Sequence, residues 1–203
     1  MAEYTRRYLK TILARMKEPR KFIQVVAGPR QVGKTTLVKQ FTSKTKEPCT
    51  FVAMDAIPAA SMSSIASVWD AVRIQMKTSK AKSHILIFDE IQKVDDWSEQ
   101  VKKEWDADTW NNVNIKILLL GSSRLLIKKG LSESLAGRFE LIRIPHWSFA
   151  EMQDAFDFSL EQYLFFGGYP GSASLVKDEV RFLNYIKDTL VESTLSKDIL
   201  LLT

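Results

Sequence analysis

The chain has little of the chemistry that special architectures require. Its 203 residues include one cysteine, Cys49, and two histidines, His84 and His146, which excludes a disulfide framework and a zinc site built from cysteine and histidine. Eight glycines and six prolines are too few for a collagen-like or low-complexity chain. With 45% hydrophobic and 26% charged residues, the composition is that of one large globular domain, or one domain with a small addition.

Long apolar segments are also missing. No uninterrupted run of apolar residues exceeds four, whereas a membrane-spanning helix needs about 20. The first seven residues lead directly into charge, without the apolar stretch and small-residue cleavage site of a secretory signal. We therefore expect a cytoplasmic protein that does not span a membrane.

Positive charge is concentrated at the start of the chain. Residues 1–50 contain 12 lysines and arginines against three acids, whereas the remaining residues contain 17 against 21. Such a basic segment suits the phosphates of a small ligand, a nucleic acid or the acidic stretch at residues 95–108 of the same chain, and it also suits a solvated surface. Charge alone leaves these interpretations open.

Short apolar segments alternate with helical patterns up to residue 145. The apolar residues within each segment are consecutive rather than alternating, which is typical of strands buried on both faces. Between the segments, apolar residues recur at spacings of three and four, for example at Val68, Val72 and Met76. The alternation predicts a three-layer α/β fold with a parallel sheet. The five predicted strands cover residues 22–27, 50–55, 84–89, 115–121 and 139–144.

Both ends of the chain are predicted to be helical. Tyr4, Tyr8, Ile12 and Met16 follow helical spacing and indicate an amphipathic helix within residues 1–18. Helical patterns after Pro145 cover residues 149–155, 160–166 and 180–193.

These patterns predict two parts, a core at residues 1–146 and a small helical subdomain at residues 147–203. The chain closes on apolar residues at 199–202 without a helix-capping glycine, and such residues ought to be buried. We therefore expect a fragment of a longer protein.

A glycine-rich loop follows the first predicted strand directly. Gly28 to Thr35 fit the phosphate-binding pattern G-x-x-x-x-G-K-[ST], and a predicted helix comes next. In such a loop the backbone N–H groups point at the phosphates, Lys34 reaches the outer phosphates, and the hydroxyl of Thr35 is offered to Mg²⁺. Nucleotide binding is therefore predicted. The expected contact residues are Gly28, Pro29, Arg30, Gln31, Val32, Gly33, Lys34, Thr35 and Thr36.

Two acids end the third predicted strand. The run Ile85-Leu86-Ile87-Phe88 leads into Asp89 and Glu90, at the carboxyl edge where open α/β sheets bind ligands. We expect Asp89 to hold Mg²⁺ through water, and Glu90 to orient and activate an attacking water as the catalytic base.

Polar residues also adjoin the fourth and fifth predicted strands. Ser122, Ser123 and Arg124 follow the fourth strand, where Ser122 and Ser123 either sense the γ-phosphate or cap the following helix. Arg138 precedes the fifth strand, and both a surface ion pair and a role directed at phosphate remain open for it.

Five segments together resemble a prokaryotic AAA-type ATPase family related to archaeal and STAND ATPases. The resemblance covers nearly the whole chain. Its motifs are the loop with Pro29-Arg30-Gln31, the run 89–93, Gly121-Ser122-Ser123, the run 134–138 and Gly167-Gly168-Tyr169-Pro170.

The resemblance implies an ATPase that uses ATP and Mg²⁺ and acts as a switch or motor for a C-terminal domain. It implies a parallel sheet in the order 5-1-4-3-2 and a helical part that closes over the nucleotide. Ser122 or Ser123 would stand at the sensor-1 position, where the family usually has Asn, Thr or Arg, and no sensor-2 arginine can be assigned. Arg138 would be an arginine finger, which points to a homo-oligomer, and Pro170 would lie near the base.

Two alternatives share the phosphate-binding loop. A small-molecule kinase would present a substrate acid after the second strand, where Asp55 stands, but residues 56–63 lack the arginines of a kinase lid. A nucleotide-gated binding module would hydrolyse little and act through its partner domain. Steady turnover separates an ATPase from such a module, and phosphate on an added acceptor separates a kinase from both.

Overall fold

The structure, a computed structural model, describes residues 4–55, 65–122 and 134–191. Five strands form one parallel sheet in the order β2-β3-β4-β1-β5, which is the predicted order read from its other end. The strands are β1 Ile23–Ala27, β2 Cys49–Ala53, β3 His84–Asp89, β4 Ile115–Gly121 and β5 Phe139–Arg143.

Burial follows position in the sheet. The three inner strands are almost entirely buried: β1 and β3 at every residue, and β4 at every residue except Lys116. The two outer strands are only partly buried, and Phe51 on β2 is exposed. Consecutive apolar residues therefore predicted the inner strands correctly, because helices or loops cover both of their faces.

Among the described residues up to β5, four helices alternate with the strands. They are α1 Tyr8–Lys17, α2 Lys34–Lys44, α3 Ile65–Ser79 and α4 Trp97–Trp110. The predicted amphipathic helix is α1, whose Leu9, Ile12 and Met16 are buried. A core cluster on α3, α4 and the strands includes Trp69, Phe88 and Trp105.

The packing of α3 against α4 is fixed by a buried carboxylate. Asp108 on α4 is 1% exposed and accepts hydrogen bonds from Trp69 Nε1 at 2.6 Å and Arg73 Nε at 2.8 Å. Arg73 Nη1 also donates to Glu104 at 2.7 Å. Buried charges are stable only when paired in this way, so α3 and α4 are held in one relative register on one side of the sheet.

The described residues form two compact units, one of residues 4–30, 34–55, 65–122 and 134–144 and one of residues 31–33 and 145–191. The second unit is helical after its short first segment. Its elements are α5 Phe149–Phe156, α6 Leu160–Phe166, a 3-10 helix Pro170–Leu175, α7 Glu179–Tyr185 and a π-helical turn Ile186–Val191.

Local sequence signals set the start of two of these helices. Ser148 with Glu151 and Ser159 with Gln162 form capping boxes, in which each partner satisfies a backbone N–H of the first turn. Gly168 lies against the backbone of Trp147, since a Cβ there would come within 2.1 Å of the Trp147 carbonyl oxygen. Among the residues described, no helix is long and apolar enough to cross a membrane.

Candidate nucleotide-binding site

The glycine-rich loop connects β1 with α2 and begins at a tight backbone contact. A Cβ at Gly28 would lie 2.1 Å from the carbonyl oxygen of Ile144, so this position accepts only glycine without a shift of the backbone. Gly33 ends the loop at φ +85°, a left-handed conformation that glycine adopts without strain. The two glycines of the motif therefore permit the backbone conformation that leads from β1 into α2.

Lys34 is the first residue of α2 and is buried, with only 6% of its surface exposed. Its Nζ donates hydrogen bonds to the Gly28 carbonyl at 3.1 Å and to the Pro29 carbonyl at 2.7 Å. The ammonium is therefore folded back onto the loop itself. A nearby anion would strongly stabilise this buried ammonium, because charge interactions are stronger away from water.

Thr35 connects the loop with the end of β3. Its Oγ1 donates to Asp89 Oδ2 at 2.8 Å, although β4 separates β3 from β1 in the sheet. Asp89 is buried, and its other oxygen accepts the N–H of Glu90 at 3.0 Å. A hydroxyl and one carboxylate are hard oxygen ligands, and Mg²⁺ is usually held by one or two carboxylates together with substrate phosphates and water. This donor pair therefore fits Mg²⁺.

Glu90 lies in an unusual backbone conformation directly after β3. Its φ of 52° and ψ of 39° are left-handed, and a 3-10 turn, Ile91–Lys93, follows it. Such a conformation costs a non-glycine residue about 1–3 kcal/mol and is concentrated at functional sites. The side chain is half-buried, and its Oε2 accepts a hydrogen bond from Gln92 Nε2 at 2.6 Å.

Ser122 follows β4 and is 2% exposed. The register pairs Ala27 with Gly121, so Ser122 stands at the same sheet edge as the start of the loop. Its Oγ accepts a second hydrogen bond from Gln92 Nε2, at 3.4 Å. Ser123 and Arg124 lie outside the described residues.

Arg138 lies at the amino-terminal ends of the strands, whereas the loop follows their carboxyl-terminal ends. It precedes β5, whose first residue, Phe139, pairs with Ile23 at the start of β1. The length of β1, about 13 Å at 3.3 Å per residue, therefore separates it from the loop edge. Its guanidinium forms two hydrogen bonds with Asp106, at 2.8 and 3.0 Å, and these raise its pKa. The structure does not bring Arg138 together with Lys34, Thr35, Asp89 and Glu90.

The remaining predicted residues are placed as follows. Gln31 is exposed and adopts a left-handed φ of 60°, and Thr36 is exposed on the first turn of α2. Arg30 is half-buried in the loop. Pro170 opens the 3-10 helix of the second unit, and its role near the base stays a prediction.

Sequence reasoning assigned no role to three residues, two that contact residues 31–33 within the second unit and one in the first unit. Trp147 Nε1 donates to the Val32 carbonyl at 3.1 Å, and Tyr185 Oη donates to Gln31 Oε1 at 2.7 Å. No sequence pattern predicts these contacts, because the two pairs of partners are 115 and 154 residues apart in the chain. Gln92 lies inside the motif run 89–93, yet its side chain received no role there.

Comparison with known proteins decides the family. A family model described as an AAA domain matches residues 20–153. The chain belongs to the AAA domain family. The matched region contains the loop, both acids after β3, Ser122 and Arg138, and family membership indicates a nucleotide-binding domain of the P-loop ATPase type.

The sequence of an archaeal relative aligns with most of this AAA-domain chain. The uncharacterized protein MJ1544 of Methanocaldococcus jannaschii is 26% identical over 174 residues, which cover 77% of this chain and 37% of that protein. The chain therefore spans well under half the length of this relative.

Proposed function

We propose that the protein binds ATP with Mg²⁺ and hydrolyses it to ADP and phosphate, and that this cycle is a switch or motor for a C-terminal domain. The observation that carries the proposal is the 2.8 Å hydrogen bond between Thr35 Oγ1 and Asp89 Oδ2. It connects the first turn of α2 with the end of β3, and it brings together the two side chains that P-loop ATPases use to hold Mg²⁺.

Phosphate binding rests on the loop and on α2. The first N–H groups of a helix lack partners within the helix, and they attract anions together with the helix dipole. Lys34 stands at this helix start, with its buried ammonium already turned toward the loop. The β and γ phosphates of ATP would replace loop carbonyls as partners of that ammonium.

The metal would be held by the Thr35 hydroxyl and, through water, by Asp89. Bound Mg²⁺ neutralises charge that develops on the phosphates during transfer. Asp89 is prepared for this role because both of its oxygens have fixed partners, Thr35 Oγ1 and the N–H of Glu90.

Hydrolysis needs a group that orients water, and we assign it to Glu90. Its Oε2 is engaged by Gln92, so Oε1 is the oxygen assigned to receive a proton from water. Ser122, at the end of β4, is assigned to the γ-phosphate through its hydroxyl. We assign Arg138 to the phosphate of a neighbouring copy.

Replacement of Lys34 tests nucleotide binding. Lys34→Ala removes the buried cation from the loop, and we expect it to abolish binding of a labelled, non-hydrolysable ATP analogue, measured by equilibrium titration. Lys39→Ala is the matched control, since Lys39 is exposed on the same helix, and it should bind like the wild type. Wild-type affinity in Lys34→Ala would refute the loop assignment.

Product analysis separates the three functions. With ATP, Mg²⁺ and no acceptor, an ATPase releases inorganic phosphate steadily. A kinase transfers labelled phosphate to an added acceptor, and a binding module retains ATP without turnover. Removal of Mg²⁺ with EDTA should stop the release of phosphate, and turnover that persists without divalent metal would contradict the role of Thr35 and Asp89.

A further inference from the structure

We propose that Gln92 is the positioning residue of this site, which orients the Glu90 carboxylate and couples it to Ser122. The proposal rests on the proposed hydrolysis of ATP with Glu90 as base. It adds a residue that need not touch ATP, water or metal and that acts through its two neighbours.

One amide nitrogen serves both acceptors. Gln92 Nε2 lies 2.6 Å from Glu90 Oε2 and 3.4 Å from Ser122 Oγ, and an amide NH₂ has two protons to donate. The opposite orientation of the amide would direct its carbonyl oxygen at a carboxylate, which electrostatics disfavours. Because Glu90 follows β3 and Ser122 follows β4, a single side chain connects the polar ends of two adjacent strands.

The other end of the same amide is left without a partner. Gln92 Oε1 is one of two side-chain atoms that are buried without a hydrogen bond in the described part of the chain. An unsatisfied buried acceptor costs about 1–3 kcal/mol. An apolar side chain of similar length would fill this space without that cost, so packing alone does not account for an amide here. The feature that an apolar side chain could not supply is the N–H donor of the Gln92 amide.

The two hydrogen bonds determine what the neighbouring groups can do. Engagement of Glu90 Oε2 restricts rotation of the carboxylate and leaves Oε1 to accept a proton from water. The Ser122 oxygen accepts from Gln92, so its own proton is turned toward a second acceptor, such as a γ-phosphate oxygen. A correctly oriented base and donor contribute to rate rather than to ground-state binding.

Gln92→Met tests the donor. Methionine keeps the length of the side chain, removes the amide and also removes the unsatisfied oxygen. We expect kcat for ATP to fall about 10-fold to 100-fold, because a misplaced catalytic group costs up to this order, while KM and the affinity for the ATP analogue stay at wild-type values. The thermal unfolding midpoint should stay level or rise.

Two further variants separate donation from shape. Gln92→Glu keeps the shape, loses the donor at neutral pH and adds charge beside Glu90, so it should be at least as slow as Gln92→Met. Gln100→Met is the matched control. Gln100 Nε2 donates to the exposed backbone carbonyl of Asp95, and its loss should leave kcat unchanged.

A double-mutant cycle shows whether Gln92 acts through Glu90. In single-turnover assays, Gln92→Met should slow the wild type but not Glu90→Gln, because the carboxylate it orients is already gone. Equal slowing in both backgrounds, or wild-type kcat in Gln92→Met, would overturn the positioning role.

Failure of the proposed function gives a different result. If Glu90→Gln turns over at the wild-type rate, the base is elsewhere, and the proposal for Gln92 falls together with it. If Glu90→Gln is slow and Gln92→Met is not, hydrolysis through Glu90 stands and only the role of Gln92 is refuted.

Discussion

Asp89 and Glu90 are adjacent carboxylates with different surroundings. Asp89 is buried, and both of its oxygens have partners that hold it in place. Glu90 leaves the strand through a left-handed backbone conformation, is half-buried, and has one oxygen bonded to a side chain. The first arrangement suits a fixed ligand, and the second suits a group that must exchange a proton with water. Environment, rather than residue type, thus distinguishes the roles proposed for the two carboxylates.

Glu90→Gln should separate binding from hydrolysis. The amide keeps the size of the side chain but is a poor base, so kcat should fall about 10²- to 10⁴-fold, the usual contribution of general base catalysis. Affinity for the ATP analogue should stay at the wild-type value, because the phosphate contacts belong to the loop. Phosphate release and equilibrium titration measure the two quantities. Unchanged turnover would show that another residue activates water.

Motif spacing predicts those site residues that belong to a short contiguous pattern, such as the loop after β1 or the acids at the end of β3. Lys34, Thr35 and Asp89 were predicted in this way, and the structure brings Thr35 and Asp89 into contact. Gln92 was quoted without a role, since its importance depends on which end of its amide faces Glu90. That orientation follows from side-chain packing, which a motif does not encode.

The elements of the sheet could be predicted more precisely than those of the second unit. The predicted strands at 84–89 and 115–121 match β3 and β4 exactly, because buried parallel strands carry uninterrupted apolar runs. The edge strand β2 begins at Cys49, one residue earlier than predicted, and ends at Ala53 rather than at 55, where partial exposure weakens the pattern. The helix predicted from residue 180 changes to a π-helical turn at Ile186, and helical spacing does not distinguish these two forms.

The segment that follows β5 contains Trp147, whose hydrogen bond to Val32 can be tested by mutation. Its indole N–H donates to the Val32 carbonyl at 3.1 Å, and its side chain is buried. Trp147→Phe keeps an aromatic side chain, replaces the indole by a smaller phenyl ring and removes this hydrogen bond, worth about 1 kcal/mol, so ATP-analogue affinity should fall about 5-fold. Trp110→Phe is the control, since Trp110 is 87% exposed. Equal affinity in both variants would show that the contact does not support the loop.

Arg138 raises a question about the whole assembly. It lies one strand length from its own loop, so the phosphate assigned to it belongs to another copy of the chain. Its partner, Asp106, lies on α4 and is 44% exposed, against 34% for Arg138. A surface pair of this kind contributes at most about 1 kcal/mol, so the pair can open when a better acceptor is available.

Two comparisons distinguish a finger from a structural ion pair. A finger typically contributes about 10³- to 10⁵-fold in rate, so Arg138→Ala should lose activity, whereas Asp106→Ala should retain it. If the ion pair alone matters, the two variants should decline equally in activity and in thermal stability.

Mixing two inactive variants provides a complementary test of whether Arg138 acts on a neighbouring copy. Arg138→Ala lacks the finger and Glu90→Gln lacks the base, so a mixed assembly contains some sites with both groups. ATPase activity should reappear when the two inactive variants are combined. If light scattering shows mixed oligomers and the activity does not return, Arg138 acts only within its own chain.

The strand order also determines when the sheet can be completed on a ribosome. Within the part of the chain that the structure describes, strand β1 pairs with β4 and β5, and Ala27 meets Gly121, 94 positions later in the chain. At about 5–20 residues per second, the nascent chain exposes both edges of a strand with four apolar residues out of five for roughly 5–20 s before its first partner is made. Strands β2 and β3 can pair earlier, so β1, which leads into the phosphate loop, waits longest between its own synthesis and that of its first partner. During that interval β1, which lies between β4 and β5 in the finished sheet, is the strand of the nascent protein most exposed to aggregation.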